Sequence, residues 1–460
     1  MIRLDRPRSA ADLLPRVERL FARSAAKIRR LERRWRPADG APVFTVGGTF
    51  TARGWTEWTE GFQYGSALLQ FDATSDREWL DLGRERTLTR MAPHLTHVGV
   101  HDHGFNNVST YGALWRLARE GRIDASPWEL RFYELALKVS GAVQARRWTA
   151  LPDGGYIYSF NGAHSLFVDT IRSLRALALA HALGHRLVEE QDAQISLLTR
   201  LLQHARATAA YNVFYGTSGG PFDVRGRTAH ESLFNVANGT YRGPSTQQGY
   251  SPFSTWTRGL AWAMLGFTEQ LEFLTTLPAD GIAAAGVADA VPAMMEAARA
   301  TCDFYIDRAA CADGIPYWDT GAPGLGALGD WGSRAADPFN DREPVDSSAA
   351  AIAAQGLLRF GHVLDAGGDD GSRYTQAGLI VLDTLFADDG PYVSGEENHE
   401  GLILHSVYHW PNGWDHVPPG AKVPRGESSQ WGDYHAREAA LYIQRRARNE
   451  PYLTFYGGLS

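Results

Sequence analysis

Apolar residues recur at helical spacing in twelve segments of this 460-residue chain, and convincing alternating strands are few. The segments run roughly over 10–35, 61–74, 76–92, 106–121, 126–146, 165–184, 187–211, 253–276, 289–309, 346–363, 370–387 and 432–447. Their ends carry capping chemistry. Asp346-Ser347-Ser348 offers an acceptor to the free N–H groups of a helix start, Ser126 precedes Pro127 at another, and Gly184 ends a third. Twelve helices joined as antiparallel pairs close into six hairpins around an axis, which is an all-α architecture. Long connections at 212–251, 310–345 and 388–431 are rich in Gly, Pro, Trp, Tyr and His, and connections of that length in a compact domain usually carry function. The rim of a site is expected there.

With 44% apolar and 11% aromatic residues there is ample material for a core, and residues 1–460 are expected to form one domain with a basic helix at about 10–35. The net charge of -7 argues against a nucleic-acid partner, which would need a basic face, yet leaves room for a local pocket that holds an anion. No run approaches the roughly 18 apolar residues of a membrane span, and Met1-Ile2-Arg3-Leu4-Asp5-Arg6 lacks the apolar core of a secretion signal. Cys302 and Cys311 are expected as reduced thiols of a cytoplasmic protein, monomeric or homodimeric. Arg23, Lys27, Arg29, Arg30, Arg33, Arg34 and Arg36 are expected on a solvated helix face, because no Trp or Phe stripe accompanies them.

Three segments concentrate chemistry. Gln248-Gly249-Tyr250 through Trp256-Thr257-Arg258 to Trp262 gathers indoles that can pack on sugar rings, a guanidinium that can grip a carboxylate, and an amide that both donates and accepts. His101-Asp102-His103-Gly104-Phe105 and Leu166-Phe167-Val168-Asp169-Thr170 each set one Asp among apolar or aromatic residues, where an ionised carboxylate is costly and its pKa is open to displacement.

These segments, with others, give the chain a resemblance to the unsaturated glucuronyl hydrolases, glycoside hydrolase family 88, from about Trp55 to about Ala440. Trp58-Thr59-Glu60-Gly61-Phe62, His101-Asp102-x-Gly104-Phe105 and Phe167-Val168-Asp169-Thr170 match family motifs in order. His230, Gln248, Trp256, Arg258 and Trp262 follow in the family's order, then Ile315-Pro316-Tyr317-Trp318-Asp319, Asp346-Ser347-Ser348 and Gln430-Trp431-Gly432-Asp433-Tyr434. The resemblance implies an (α/α)6 barrel and an enzyme that hydrates the C4=C5 enol ether of an unsaturated uronic acid at the non-reducing end of a small acidic oligosaccharide. It implies Asp169 as acid and base and Asp102 as auxiliary carboxylate. Trp58, Phe62, His101, His230, Gln248, Trp256, Arg258 and Trp262 would bind substrate, with Arg258 nearest its carboxylate. The chain departs from the family at Ile171-Arg172-Ser173-Leu174 and at Asn106 to Tyr111, beside both Asp residues, so specificity is expected to differ there; the stretch from His405 to Ser429 does not align clearly.

No cofactor or metal is implied. His101-x-His103 has ligand spacing, but His230-Glu231 lacks the second His of a zinc motif, with Phe234 in its place. Gly324 to Gly329 imitates a dinucleotide fingerprint without a preceding strand, and no Gly-x-Ser-x-Gly elbow occurs. Three rival readings stay open: an unsaturated rhamnogalacturonyl hydrolase, an isomerase or lyase using His101, His230 or Tyr250 as base, and a noncatalytic sugar-binding protein.

Overall fold

Helices buried on every side alternate along the chain with helices buried on one. A computed structural model describes residues 1–54 and 57–459; Trp55, where the resemblance begins, Thr56 and Ser460 lie outside the described residues. Six elements form an inner ring: α2 (Glu60–Thr74), α4 (His103–Asn107, a π turn Val108–Gly112, then Ala113–Arg119), α6 (Thr170–Ser173 and Arg175–Ala182), α8 (Thr257–Leu274), α10 (Ser347–Gly367) and α12 (Gln430–Ala447). Each packs on the next, and α12 packs back on α2. Every residue of α8 is buried, its apolar side chains and its charged ones Arg258, Glu269 and Glu272 alike. Outside them lie α1 (Ala10–Arg34), α3 (Arg77–Arg90), α5 (Pro127–Arg146), α7 (Leu197–Asn212), α9 (Ala290–Phe304) and α11 (Ser372–Leu385). The architecture is an (α/α)6 barrel.

The helix starts carry the expected caps. Ser126 and Glu129 form a reciprocal capping box, and the Asp346 carboxylate accepts from Ser348 and Ala349 N–H. Two expected helices begin late. The segment at 165–184 opens as a strand, Ser165–Phe167, and the one at 187–211 opens as a small hairpin, Leu187–Val188 with Gln194–Ile195. Short apolar runs fit a buried strand as well as a helix, so periodicity could not separate them. Ser165–Phe167 pairs antiparallel with Glu231–Phe234, which pairs in turn with Tyr241–Ser245.

The basic residues of α1 are more committed than a solvated face would be. Lys27 is buried and donates to Ser394 Oγ and to the Glu396 and His399 carbonyls, while Arg34 pairs with buried Glu400. Arg19 and Arg29 reach Asp388 and Glu78. This helix therefore pins the 388–431 connection. Both cysteines are buried and free. Among the described residues no helix is long and apolar enough to cross a membrane.

Glycine lets the inner helices touch. A Cβ on Gly266 would stand 2.5 Å from Ile171 Cγ2 and 2.7 Å from the Arg172 nitrogen, and one on Gly104 would stand 2.2 Å from the Ser173 oxygen. Below that crossing the barrel axis is ionic: Arg172 Nε lies 3.1 Å from Glu269 and its Nη2 2.7 Å from Glu438, while Arg359 lies 2.9 Å from Glu272, all buried. Burial alone would push the Glu438 carboxyl up, but Arg172 foremost holds it down at about 2.

Gly266→Ala should lower unfolding free energy by about 1–3 kcal/mol in urea, the usual cost of overpacking a filled core. Because the Glu438 pKa is depressed below an unfolded value of about 4.3, its contribution is complete above that pH and is lost as pH falls towards about 2. Glu438→Gln should accordingly flatten the dependence of stability on pH in that window.

Candidate active site

The N-termini of four inner helices border one cavity. Trp58 stands before α2, Asp102 before α4, Asp169 before α6 and Trp256 before α8, and all four line it, while Asp346 before α10 and Trp431 at the start of α12 do not. Free N–H groups and the positive ends of helix dipoles therefore converge there, which favours an anionic guest. The cavity measures about 210 Å³, and its lining includes Trp58, His101, Asp102, Asp169, Gln248, Trp256, Arg258 and Trp262.

The two carboxylates and an imidazole share one corner. His101 Nε2 stands 3.1 Å from Asp169 Oδ1 and 3.7 Å from Asp102 Oδ1, with all three residues buried. Burial would lower the His101 pKa, but the Asp102 charge and the hydrogen bond with Asp169 prevail and raise it above its ordinary value. Burial, with help from the Asp169 charge, raises the Asp102 carboxyl against the pull of His101. The turn bearing His101 is fixed from below, since Ser173 Oγ and Gln144 Nε2 donate to its carbonyl at 2.7 and 2.8 Å.

Strand pairing explains a fourth member. Asp169 follows Ser165–Phe167 and His230 precedes Glu231–Phe234, so the antiparallel register that sets Phe167 against Glu231 also brings His230 Nε2 to 4.0 Å from Asp169 Oδ2. His230 Nδ1 accepts the backbone N–H of Gln247 at 3.0 Å and of Gln248 at 3.4 Å. Desolvation holds its pKa at about 4, so the ring is neutral at pH 7. With Nδ1 accepting, the hydrogen of that neutral ring sits on Nε2, which stands 4.0 Å from Asp169 Oδ2 and makes no hydrogen bond among the described residues.

The comparisons agree with the geometry. No protein-family model matches the chain. An unsaturated glucuronyl hydrolase of Bacillus sp. (strain GL1) is 27% identical over 404 residues, covering 85% of this chain and 87% of that protein. An unsaturated chondroitin disaccharide hydrolase of Streptococcus pyogenes serotype M1 is 24% identical, covering 84% of this chain and 81% of its own. The chain is a relative of the unsaturated glucuronyl hydrolases. Its fold superposes on the crystal structure of an unsaturated glucuronyl hydrolase specific for heparin with a TM-score of 0.71 at 20% identity, over 95% of this chain and 98% of the other.

Against the residues that the resemblance to the unsaturated glucuronyl hydrolases implied, the structure makes three corrections. Phe62 does not line the cavity; it is fully buried behind Trp58, with ring centroids 5.9 Å apart. His230 does not line it either and lies behind Asp169, wedged between Phe167 and Trp256. Arg258 lines the cavity, but its four terminal N–H groups are taken: Nη1 donates to Asp346 Oδ2 at 2.9 Å and to the Val407 carbonyl, and Nη2 to Gln248 Oε1 at 2.8 Å and the Tyr408 carbonyl at 2.7 Å. It builds the wall and supplies charge rather than a free two-pronged grip.

Sequence reading missed other lining residues. Tyr408, His409 and Trp414 come from the stretch that does not align clearly, and Gln247, His97, Phe160 and Phe167 also take part. Clustered aromatics were the available signal. Asp415 holds Tyr408 and His409 by accepting both N–H groups, at 2.5 and 2.8 Å, and burial raises its carboxyl to about 6. Among the described residues, His101 Nδ1 and His409 Nδ1 are buried without a hydrogen-bond partner. The departures beside the Asp residues do not line the cavity: Arg172 enters the ionic axis, Ser173 pins His101, and Asn106 Oδ1 accepts Gly61 N–H.

Arg258→Lys leaves three donors for four buried acceptors, so it should lower unfolding free energy by about 1–3 kcal/mol in urea, the cost of an unpaired buried group.

Proposed function

We propose that this chain removes an unsaturated (4-deoxy-4,5-ene) uronyl residue from the non-reducing end of a lyase-generated oligosaccharide by hydrating its C4=C5 enol ether. One observation carries the reading: two buried carboxylates meet one imidazole inside an aromatic cavity bordered by four helix N-termini. The relatives' names, glucuronyl and chondroitin disaccharide hydrolases, support it, and lend none to the rhamnogalacturonyl alternative.

The chemistry needs a proton, a water and a place for positive charge. Asp169 gives its proton to C4, the double bond's electrons form the new C4–H bond, and C5 becomes an oxocarbenium centre shared with the ring oxygen. Water adds at C5 and returns a proton to Asp169. The resulting hemiketal opens to a C5 ketone, leaving C1 as a hemiacetal that expels the aglycone as an alcohol. One water is consumed and no displacement occurs at C1, so the carboxylate-separation rule for ordinary glycosidases does not govern this site.

In this reading His101 holds the proton supply beside Asp169, Asp102 places the water or stabilises the charge at C5, and His230 steadies Asp169 from behind. Trp58, Trp256 and Trp262 pack on the sugar. The uronyl carboxylate meets the positive ends of the helices and the Arg258 charge, with His101 Nδ1 and His409 Nδ1 as available donors. The free buried thiols fit a cytoplasmic setting, which we assign to it.

Purified protein mixed with unsaturated disaccharides should extinguish the ultraviolet absorbance of the conjugated double bond. Asp169→Asn should slow this by roughly 10²–10⁴-fold, the worth of general acid–base catalysis, while unfolding at the wild-type temperature; a variant of near-normal rate would contradict the assignment. The raised Asp102 and His101 pKa values set the limbs of a bell-shaped kcat/KM profile. Activity should fall on the acid side at a pH above the usual carboxylate range as Asp102 protonates, and on the alkaline side above the usual imidazole pKa as His101 loses its proton. Asp102→Asn should move the acid limb.

A further inference from the structure

The 310–345 connection supplies no lining residue, yet one of its carboxylates grips the loop that does. Asp319 is fully buried. Its Oδ2 accepts the Tyr250 N–H at 2.8 Å and its Oδ1 accepts the Gly321 N–H at 2.8 Å. Its neighbours clamp the same loop further along: Thr320 N–H donates to the Thr255 carbonyl at 2.9 Å, Thr255 N–H to Thr320 Oγ1 at 3.1 Å, and Thr257 Oγ1 to the Tyr317 carbonyl at 2.8 Å. A Cβ on Gly249 would stand 3.1 Å from Asp319 Oδ2, so the loop and the carboxylate are in close contact.

The opposite side of this loop faces the site. The Gln247 and Gln248 N–H groups meet His230 Nδ1, and Gln248 Oε1 meets Arg258. The loop is thus suspended between Asp319 behind and His230 and Arg258 in front. Tyr250 is only two residues from Gln248, so freeing its N–H lets Gln248 drift off both partners.

We propose that Asp319 is a positioning residue for substrate binding: it touches no substrate and sets Gln248 and Trp256 by latching the Gln248–Trp256 loop from behind. The inference rests on the proposed reaction and deepens it. Asp319→Asn preserves shape but turns an NH2 group towards one of the two backbone N–H donors. KM for an unsaturated disaccharide should rise about tenfold, the worth of one hydrogen bond to a charged group, with kcat within about twofold because a loss of uniform binding leaves it alone. Asp313→Asn is the control. Asp313 lies on the same connection and likewise accepts two backbone N–H groups, from Ile315 at 3.3 Å and Ala336 at 3.1 Å, neither of them in the pocket loop. It should lose stability without a change in KM.

An unchanged KM in Asp319→Asn, or an equal rise in Asp313→Asn, overturns the inference. Should Asp319→Asn fail to fold, Thr320→Val, which removes only the hydroxyl that receives Thr255 N–H, gives the same readout: a raised KM supports the latch and a wild-type KM overturns it. Wild-type protein run alongside separates the two levels, since an inactive wild type refutes the reaction and an active one with an unmoved variant refutes the latch alone.

Discussion

The pocket stands on the buried ion pair between Arg258 and Asp346, 2.9 Å apart. Asp346 Oδ1 accepts Ser348 N–H and Oγ–H at 3.0 and 2.5 Å, capping α10, and lies 3.4 Å from Val407 N–H. Arg258 carries the tie to α8, to the Tyr408 carbonyl and to Gln248, and its guanidinium lies over the rings of Trp256 and Trp431 at 4.6 and 5.0 Å. Burying two charges costs several kcal/mol per ion unless geometry and further hydrogen bonds offset it. Here nearly every donor and acceptor of the pair is matched, and the pair joins two inner helices to two of the three rim connections.

Around that frame one residue type does two jobs. His101 and His230 are both buried beside Asp169, and their pKa values move in opposite directions. His101 faces two carboxylates and goes up. His230 makes its close contacts with backbone N–H groups and aromatic rings, stands farther from Asp169, and falls to about 4. Two imidazoles on opposite sides of Asp169 are thus tuned apart by their surroundings, as in sites that run acid and base chemistry near neutral pH.

Much of the fold was legible because long apolar segments at helical spacing, bounded by capping residues, recur along the chain. What misled was local: Ser165-Leu166-Phe167 and Leu187-Val188 are apolar runs too short for period to discriminate, and only pairing decides them. In the site, motif order singled out Asp102, His101 and Asp169, and the structure brings the three into one corner. Phe62, His230 and Arg258 show the limit, since residue type indicates what a side chain can bind and only three-dimensional packing shows which partners have already taken it. Tyr408, His409 and Trp414 lay in a connection held by buried Asp415 through hydrogen bonds within the loop, a constraint with no sequence period.

The hydration account is tested most directly by following the C4=C5 protons and the freed aglycone together by NMR during turnover of an unsaturated disaccharide. The account predicts that the alkene signal vanishes no later than aglycone appears, with deuterium entering C4 when the solvent is heavy water. Release of aglycone from a sugar that keeps its double bond would contradict it, and would make the Asp102, His101 and Asp169 cluster the centre of a conventional glycosidase.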